Sequence, residues 1–242
     1  MPTSAYHRSG DRGTSTIGAE ALDSRHLDNV LARRTLADIT LANRLFGGNA
    51  AAEYGLARLL GRGTRPEHLL VLDVGAGAGD VLGSLRRSVC RRGISLTGVA
   101  LDFHPEAARM ARERRELAVQ ADAFRLPFLD DAVDVVVASQ LLHHFARSAA
   151  VSLIAEMDRV ARVGVVIADL RRSRAAAWGI WIAAHALRFH PISRADGVVS
   201  VRRGFTADEI RSLCLEAGFR ATVRRRPGAR VVAYWSKMHA HP

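Results

Sequence analysis

Lysine is almost missing from these 242 residues: Lys237 is the sole one, and arginine supplies the rest of the 35 basic side chains. A phosphate-cradling loop ending in Gly-Lys-Ser/Thr is thereby excluded, since no glycine cluster has an ammonium beside it. Cysteine is scarce as well. Cys90 and Cys214 are too few and too isolated for a disulfide framework or a zinc site, and both are expected as small buried thiols in helices. No apolar run reaches the roughly 18 to 20 residues of a membrane helix, and no basic start leads into an apolar stretch, so no membrane span and a cytoplasmic location are expected. The net charge of +11 raises the question of nucleic acid. Its arginines are scattered over most predicted helices with only short clusters, such as Arg224, Arg225 and Arg226, so a solvated basic surface is favoured and no nucleic-acid partner is expected.

What is present is a strand running into glycines. Residues 69–72 are continuously apolar, as in a central parallel strand covered on both faces, and Asp73-Val74-Gly75-Ala76-Gly77-Ala78-Gly79-Asp80 follows. Alternating glycines remove each Cβ where a ligand must meet backbone, and the helix expected from about Asp80 offers its free N–H groups there. Strand patterns recur at 95–101, 118–121, 133–139 and 163–168, separated by helical patterns at 105–115 and 148–161. That rhythm predicts right-handed βαβ units in a doubly wound sheet. A capping box from Thr206 to Glu209 opens a last helix, and Pro227-Gly228 joins 221–226 to 230–235 as a hairpin.

Around this core lie three further pieces. Residues 1–18 carry no apolar periodicity and are expected as a disordered tail. Residues 19–65 are expected as an N-terminal cap of two helices, with Leu27, Val30, Leu31, Leu36, Ile39 and Leu45 at helical steps, Gly47-Gly48 ending the first and Asn49 capping the second. Residues 66–242 form the main domain, interrupted at 171–204 by an apolar helix (175–189) and a polar loop (190–204).

Carboxylates and histidines stand at the ends of these strands. Asp102, followed by Phe103, is placed to accept hydrogen bonds from ribose hydroxyls. Asp122 and Ala123 follow the third strand, and Ser139, Gln140, His143 and His144 follow the fourth, where such a sheet opens its ligand crevice. The Asp-x-Gly-x-Gly-x-Gly order resembles motif I of the class I S-adenosylmethionine (SAM) methyltransferases, and 69–145 as a whole is similar to the UbiE/ubiquinone-type small-molecule members. The resemblance implies a Rossmann-like seven-stranded sheet of order 3-2-1-4-5-7-6. It also implies a SAM site drawing on Asp73, Gly75, Ala76, Gly77, Gly79, Asp102, Phe103, Asp122, Ala123, Ser139 and Gln140, with S-adenosylhomocysteine (SAH) as product.

A sulfonium methyl is already electrophilic, so alignment and removal of the acceptor's proton remain, and His144 first, His143 second, is the expected base. A structural role for either imidazole is the alternative. Asp169 is read as a pocket-floor or arginine-paired residue, and no metal is expected because Leu170 stands where a second oxygen ligand would be needed. Trp178, Trp181, His190 and Arg202 in the insertion are candidate acceptor contacts. Together these imply methyl transfer to a small aromatic, polyketide-like or quinol acceptor in secondary or quinone metabolism, O-methylation slightly favoured over C-methylation. A SAM- or SAH-binding protein without methyl transfer is the alternative from another class, and an RNA methyltransferase the third. A homodimer is compatible with the sequence.

Overall fold

The computed structural model of the chain describes residues 18, 20–24, 27–61 and 66–237, so nearly all of the expected N-terminal tail lies outside the described residues. The apolar runs become neighbouring strands. His68–Val74 (β1) pairs in parallel with Ser95–Asp102 (β2) on one side and Val133–Ser139 (β4) on the other. Leu117–Gln120 (β3) adds beyond β2, Ala161–Leu170 (β5) beyond β4, and the hairpin Thr222–Arg226 (β6) and Arg230–Ser236 (β7) closes the far side antiparallel. The order is β3-β2-β1-β4-β5-β7-β6, as expected.

Alternation along the strands sorts the core into two halves. Leu72, Val74, Val136 and Ala138 meet Arg147–Val160 (α5) and Ala207–Glu216 (α8) on one face. Val71, Val135 and Val137 meet Gly48–Leu59 (α2) and Asp80–Cys90 (α3) on the other, with Pro105–Glu113 (α4) beyond them. All seven residues of β4 are buried, which is why that stretch is nearly all valine. The predicted capping box is formed: Thr206 Oγ1 accepts from Glu209 N, and Glu209 Oε2 accepts from Thr206 N at 2.6 Å.

Four expectations are corrected. The second helix of the expected cap belongs to the sheet layer instead: α2 lies on β5 and β7, and Gly55 passes close against Val166 and Val232. Gly47, with φ of +79°, is its N-cap, so α2 begins before Asn49. Residues 190–204 are a helix, Pro191–Arg203 (α7), paired with Arg174–Ala186 (α6). Its apolar residues do not gather on one face, so periodicity is silent there, although His190 as N-cap before Pro191 is a readable start signal. Cys90 is exposed, and only Cys214 is the buried thiol expected, its pKa pushed up to about 12 by burial.

The true cap is Asn29–Leu45 (α1) with the 3-10 turn Ala21–Asp23. Asp28 caps α1 by accepting from Val30 N and Leu31 N, and Leu36 packs toward α4 beside Ala107 and Met110. The periodic Val30 and Leu45 point outward, 78% and 51% exposed. No described helix is long and apolar enough to cross a membrane.

Gly55 tests the placement of α2. A Cβ there would collide with Val166 Cγ1 and stand 3.0 Å from Val232 Cγ1. Gly55→Val is expected to lower stability by about 1–3 kcal/mol through overpacking, read as a lower denaturant midpoint; an unchanged midpoint would place α2 away from the sheet.

Candidate active site

β1 ends in a turn whose three glycines all have positive φ, 71° at Gly75, 51° at Gly77 and 75° at Gly79, a conformation that a Cβ would strain. Gly75 N and Ala76 N donate to Leu101 O at 2.8 and 3.0 Å, which ties the turn to the end of β2. Asp102 bridges it further: one carboxylate oxygen accepts from Gly77 N and the other from His104 N, both at 2.9 Å. Leu141 packs over Gly75 and Leu36 of the cap over Gly77.

Three carboxylates surround this turn. Asp73 is fully buried, and neither of its oxygens has a hydrogen-bond partner. Burial, reinforced by the charges of Asp80, Asp102 and Glu116, lifts its pKa well above the carboxylate range. Asp80 at the start of α3 is also raised by burial, against hydrogen bonds from Asn43 and Thr40 of α1. Asp102 is raised by burial as well, against its two backbone donors. Such a cluster is costly in isolation and becomes favourable around a cation.

Beyond β4 the histidines form a second cluster. His143 is buried with Nδ1 at 2.7 Å from Asp169 Oδ1, while Asp169 Oδ2 accepts from Leu142 N at 2.8 Å. Asp169 is therefore a fully buried carboxylate paired with a histidine and not with Arg172, which bonds Glu209 instead. His144 Nδ1 lies 2.8 Å from Asp23 Oδ1. Both Nε2 atoms turn toward Glu20, at 3.8 Å for His143 and 4.0 Å for His144. Arg203, buried, completes the cluster with contacts of 3.2 Å to Glu20 and 3.0 Å to Asp23.

Burial works against a charged His144, but the Asp23 hydrogen bond and the fields of Glu20, Asp23 and Asp169 outweigh it and raise its pKa. Asp23 moves the other way: burial would raise it, yet its bonds to His144 and Arg203 hold it far below the usual range. Asp196, packed against Glu20 and Asp23, is pushed up to about 6 by burial.

A cavity of about 440 Å³ opens beside this cluster. Its floor is the strand edge, with Gln140 after β4, Leu170 ending β5 and Arg230 starting β7; its walls come from α1, α6 and α7, mostly apolar. Gln140, at φ of +55°, hydrogen-bonds Asn43 of α1 and so joins cap to sheet.

The structure brings Asp73, Gly75, Ala76, Gly77, Gly79 and Asp102 together at one turn. Phe103 and Ala123 are half-buried at the neighbouring strand ends, and Asp122 accepts from Phe124 N at 3.0 Å. Ser139 Oγ is buried with no partner. The insertion candidates fall elsewhere. Trp178 and Trp181 meet edge to face on the outer face of α6, 68% and 47% exposed, while Ala176, Gly179, Ile180 and Ala184 turn inward. Arg202 lies beside Trp178 on that outer side, and His190 caps α7 while donating its N–H to Asp38. No local sequence pattern announces the contact of Glu20 and Asp23 with Arg203, because 183 and 180 positions separate them.

Comparison with known proteins agrees with this geometry. Residues 72–168 match the family described as Methyltransferase domain, and the described fold has the corresponding strand order. A demethylmenaquinone methyltransferase of Roseiflexus sp. (strain RS-1) is 36% identical over 107 residues, a match that spans 43% of this chain and 42% of that one. Among solved structures, an O-methyltransferase family 2 protein from Planctomyces limnophilus, in complex with apigenin, superposes with a TM-score of 0.62 at 17% identity, covering 90% of this chain and 65% of that one. An O-methyltransferase of neocarzinostatin biosynthesis, in complex with SAH and 1,4-dihydroxy-2-naphthoic acid, gives 0.60 at 20% identity, covering 86% and 58%. These define a Rossmann-like SAM-dependent methyltransferase fold. Residues 72–168 are similar to that methyltransferase domain, and the matched stretch spans less than half of the demethylmenaquinone methyltransferase.

The His144–Asp23 pair carries a pH signature. Because the folded pKa of His144 is raised, the pair stabilises fully below the unfolded pKa and that contribution is lost as pH rises through the folded value. NMR titration of the imidazole is expected to give a midpoint above 6.5, and Asp23→Asn should move it downward. A midpoint unmoved by that substitution would remove Asp23 as the cause.

Proposed function

We propose that this chain is a SAM-dependent methyltransferase that transfers a methyl group to a small aromatic, polyketide-like or quinol acceptor, O-methylation slightly favoured over C-methylation. The observation that carries the reading is Asp73: a buried carboxylate with both oxygens unpartnered, beside Asp80 and Asp102, at a glycine turn that leaves backbone bare. SAM fits there because it brings an ammonium and a sulfonium into a site that holds negative charge without a protein cation bonded to Asp73. When bound it supplies an electrophilic methyl that leaves sulfur as the thioether of SAH.

The chain's residues do the rest. Asp102 is the ribose ligand at the end of β2, and Asp122 with Ala123 flanks the adenine. Gln140 and α1 close the space between cofactor turn and cavity, which excludes water from the reacting atoms. The acceptor lies in the apolar cavity with its hydroxyl toward Glu20 and the histidines. His144 takes the proton at Nε2 while Nδ1–H donates to Asp23, which fixes the tautomer and stabilises the imidazolium. His143, buried and bonded to Asp169, holds the floor beneath it. Proton and methyl thus exchange places on one oxygen atom, and charge balances.

Calorimetric titration with SAM and SAH at two salt concentrations tests the reading. Micromolar binding insensitive to salt is expected, and absence of binding to both would overturn it. Asp73→Asn is expected to weaken SAM by about 1–3 kcal/mol without lowering the melting temperature, because the side chain it replaces makes no hydrogen bond in the free protein. His144→Ala should lose about 10² to 10⁴ in acceptor-dependent rate with SAH affinity little changed. Wild-type turnover in that variant would leave the imidazole a structural role.

A further inference from the structure

The unpartnered buried polar atoms fall into groups, and one of them lines the cavity. Thr35 Oγ1, Ser193 Oγ and Arg230 Nη1 are all buried without a hydrogen-bond partner, and all three residues form the cavity wall. Arg230 is 3% exposed. Its Nε donates to Phe46 O at 3.3 Å, but the Nη1 end is bare. Asp169, one residue before its cross-strand partner Leu170, is already saturated: Oδ1 takes His143 Nδ1 and Leu170 N, and Oδ2 takes the N–H groups of Leu142 and His143.

The other charged residues of the wall are also engaged. Glu20 has Arg203 and Ser200, Asp38 accepts from His190 N, and Asp196 accepts from Ala21 N. The charge of Asp169 offsets part of the cost of burying this guanidinium, but Nη1 itself has no hydrogen-bond partner, and a bare N–H in an apolar wall favours an anion that reaches it. Burial lowers the Arg230 pKa only to about 10, so the side chain is charged at neutral pH.

We infer that the methyl acceptor is an aromatic acid, whose carboxylate is met by Arg230 Nη1, with the unpartnered hydroxyls of Thr35 and Ser193 in the same cavity wall as its further donors. This rests on the methyltransferase reading and narrows its acceptor class. A neutral quinol or phenol leaves Arg230 unpaired and binds more weakly.

The test uses a matched pair of probes, 1-hydroxy-2-naphthoic acid and 1-naphthol, titrated by calorimetry into the full chain saturated with SAH near neutral pH. The acid is expected to bind at least about tenfold tighter, equivalent to about 1.4 kcal/mol. That preference should persist at high salt, since a buried pair is screened little, whereas nonspecific attraction to the basic surface would fade. Arg230→Met should abolish the preference and Arg230→Lys retain part of it. The wild-type comparison decides even where a variant fails to fold. Equal affinity for the two probes, a preference that vanishes with salt, or measurable binding of neither overturns the inference. SAH binding is read separately in the same experiment: its presence without an acid preference sinks only the acceptor class, and its absence sinks the methyltransferase reading itself.

Discussion

Negative charge buried around a glycine turn is the constraint on which the rest of this structure depends. Asp73, Asp80 and Asp102 come from the ends of two strands and the start of a helix, and each is pushed toward protonation by burial. A fold selected for stability alone would place apolar side chains there. The sheet keeps them because parallel strands with crossover helices bring all their carboxyl ends to one edge, and a ligand at that edge can supply the missing positive charge. The cap is drawn to the same place, since Thr40 and Asn43 of α1 reach Asp80, and Leu36 covers Gly77.

The second cluster explains why the cap sits as it does. Glu20 and Asp23 in a short 3-10 turn are far from the sheet in sequence, yet Arg203 of α7 and the two histidines after β4 hold them over the strand edge. Both Nε2 atoms face one carboxylate, and both Nδ1 atoms have carboxylates of their own. The 3-10 turn that borders the cavity thus also raises the pKa of His144 through Asp23 and Glu20. Elsewhere many arginines form ion pairs such as Arg147–Glu216, and with both partners half-exposed such a pair contributes little to stability.

Much of the fold was legible from local chemistry. Valine runs reported central strands, Gly75, Gly77 and Gly79 reported a turn that needs positive φ, and Thr206 with Glu209 reported a helix start, because each signal arises between residues within one turn or strand of each other. The α7 helix was not legible as an amphipathic pattern, since its faces are divided among the cavity, α6 and the 3-10 turn. The outward placement of Trp178 and Trp181 was not legible for a related reason: helical spacing says that two residues share a face but not which way that face turns.

The sequence by itself determined the order and type of the core elements, the glycine turn, and the acids and histidines at the strand ends, because those follow from periodicity and backbone sterics. Tertiary structure alone decided which buried polar atoms are left without a hydrogen-bond partner. Asp73 and Arg230 are ordinary residues in the sequence; they become informative only once burial removes water and every neighbouring donor or acceptor is seen to be committed to something else.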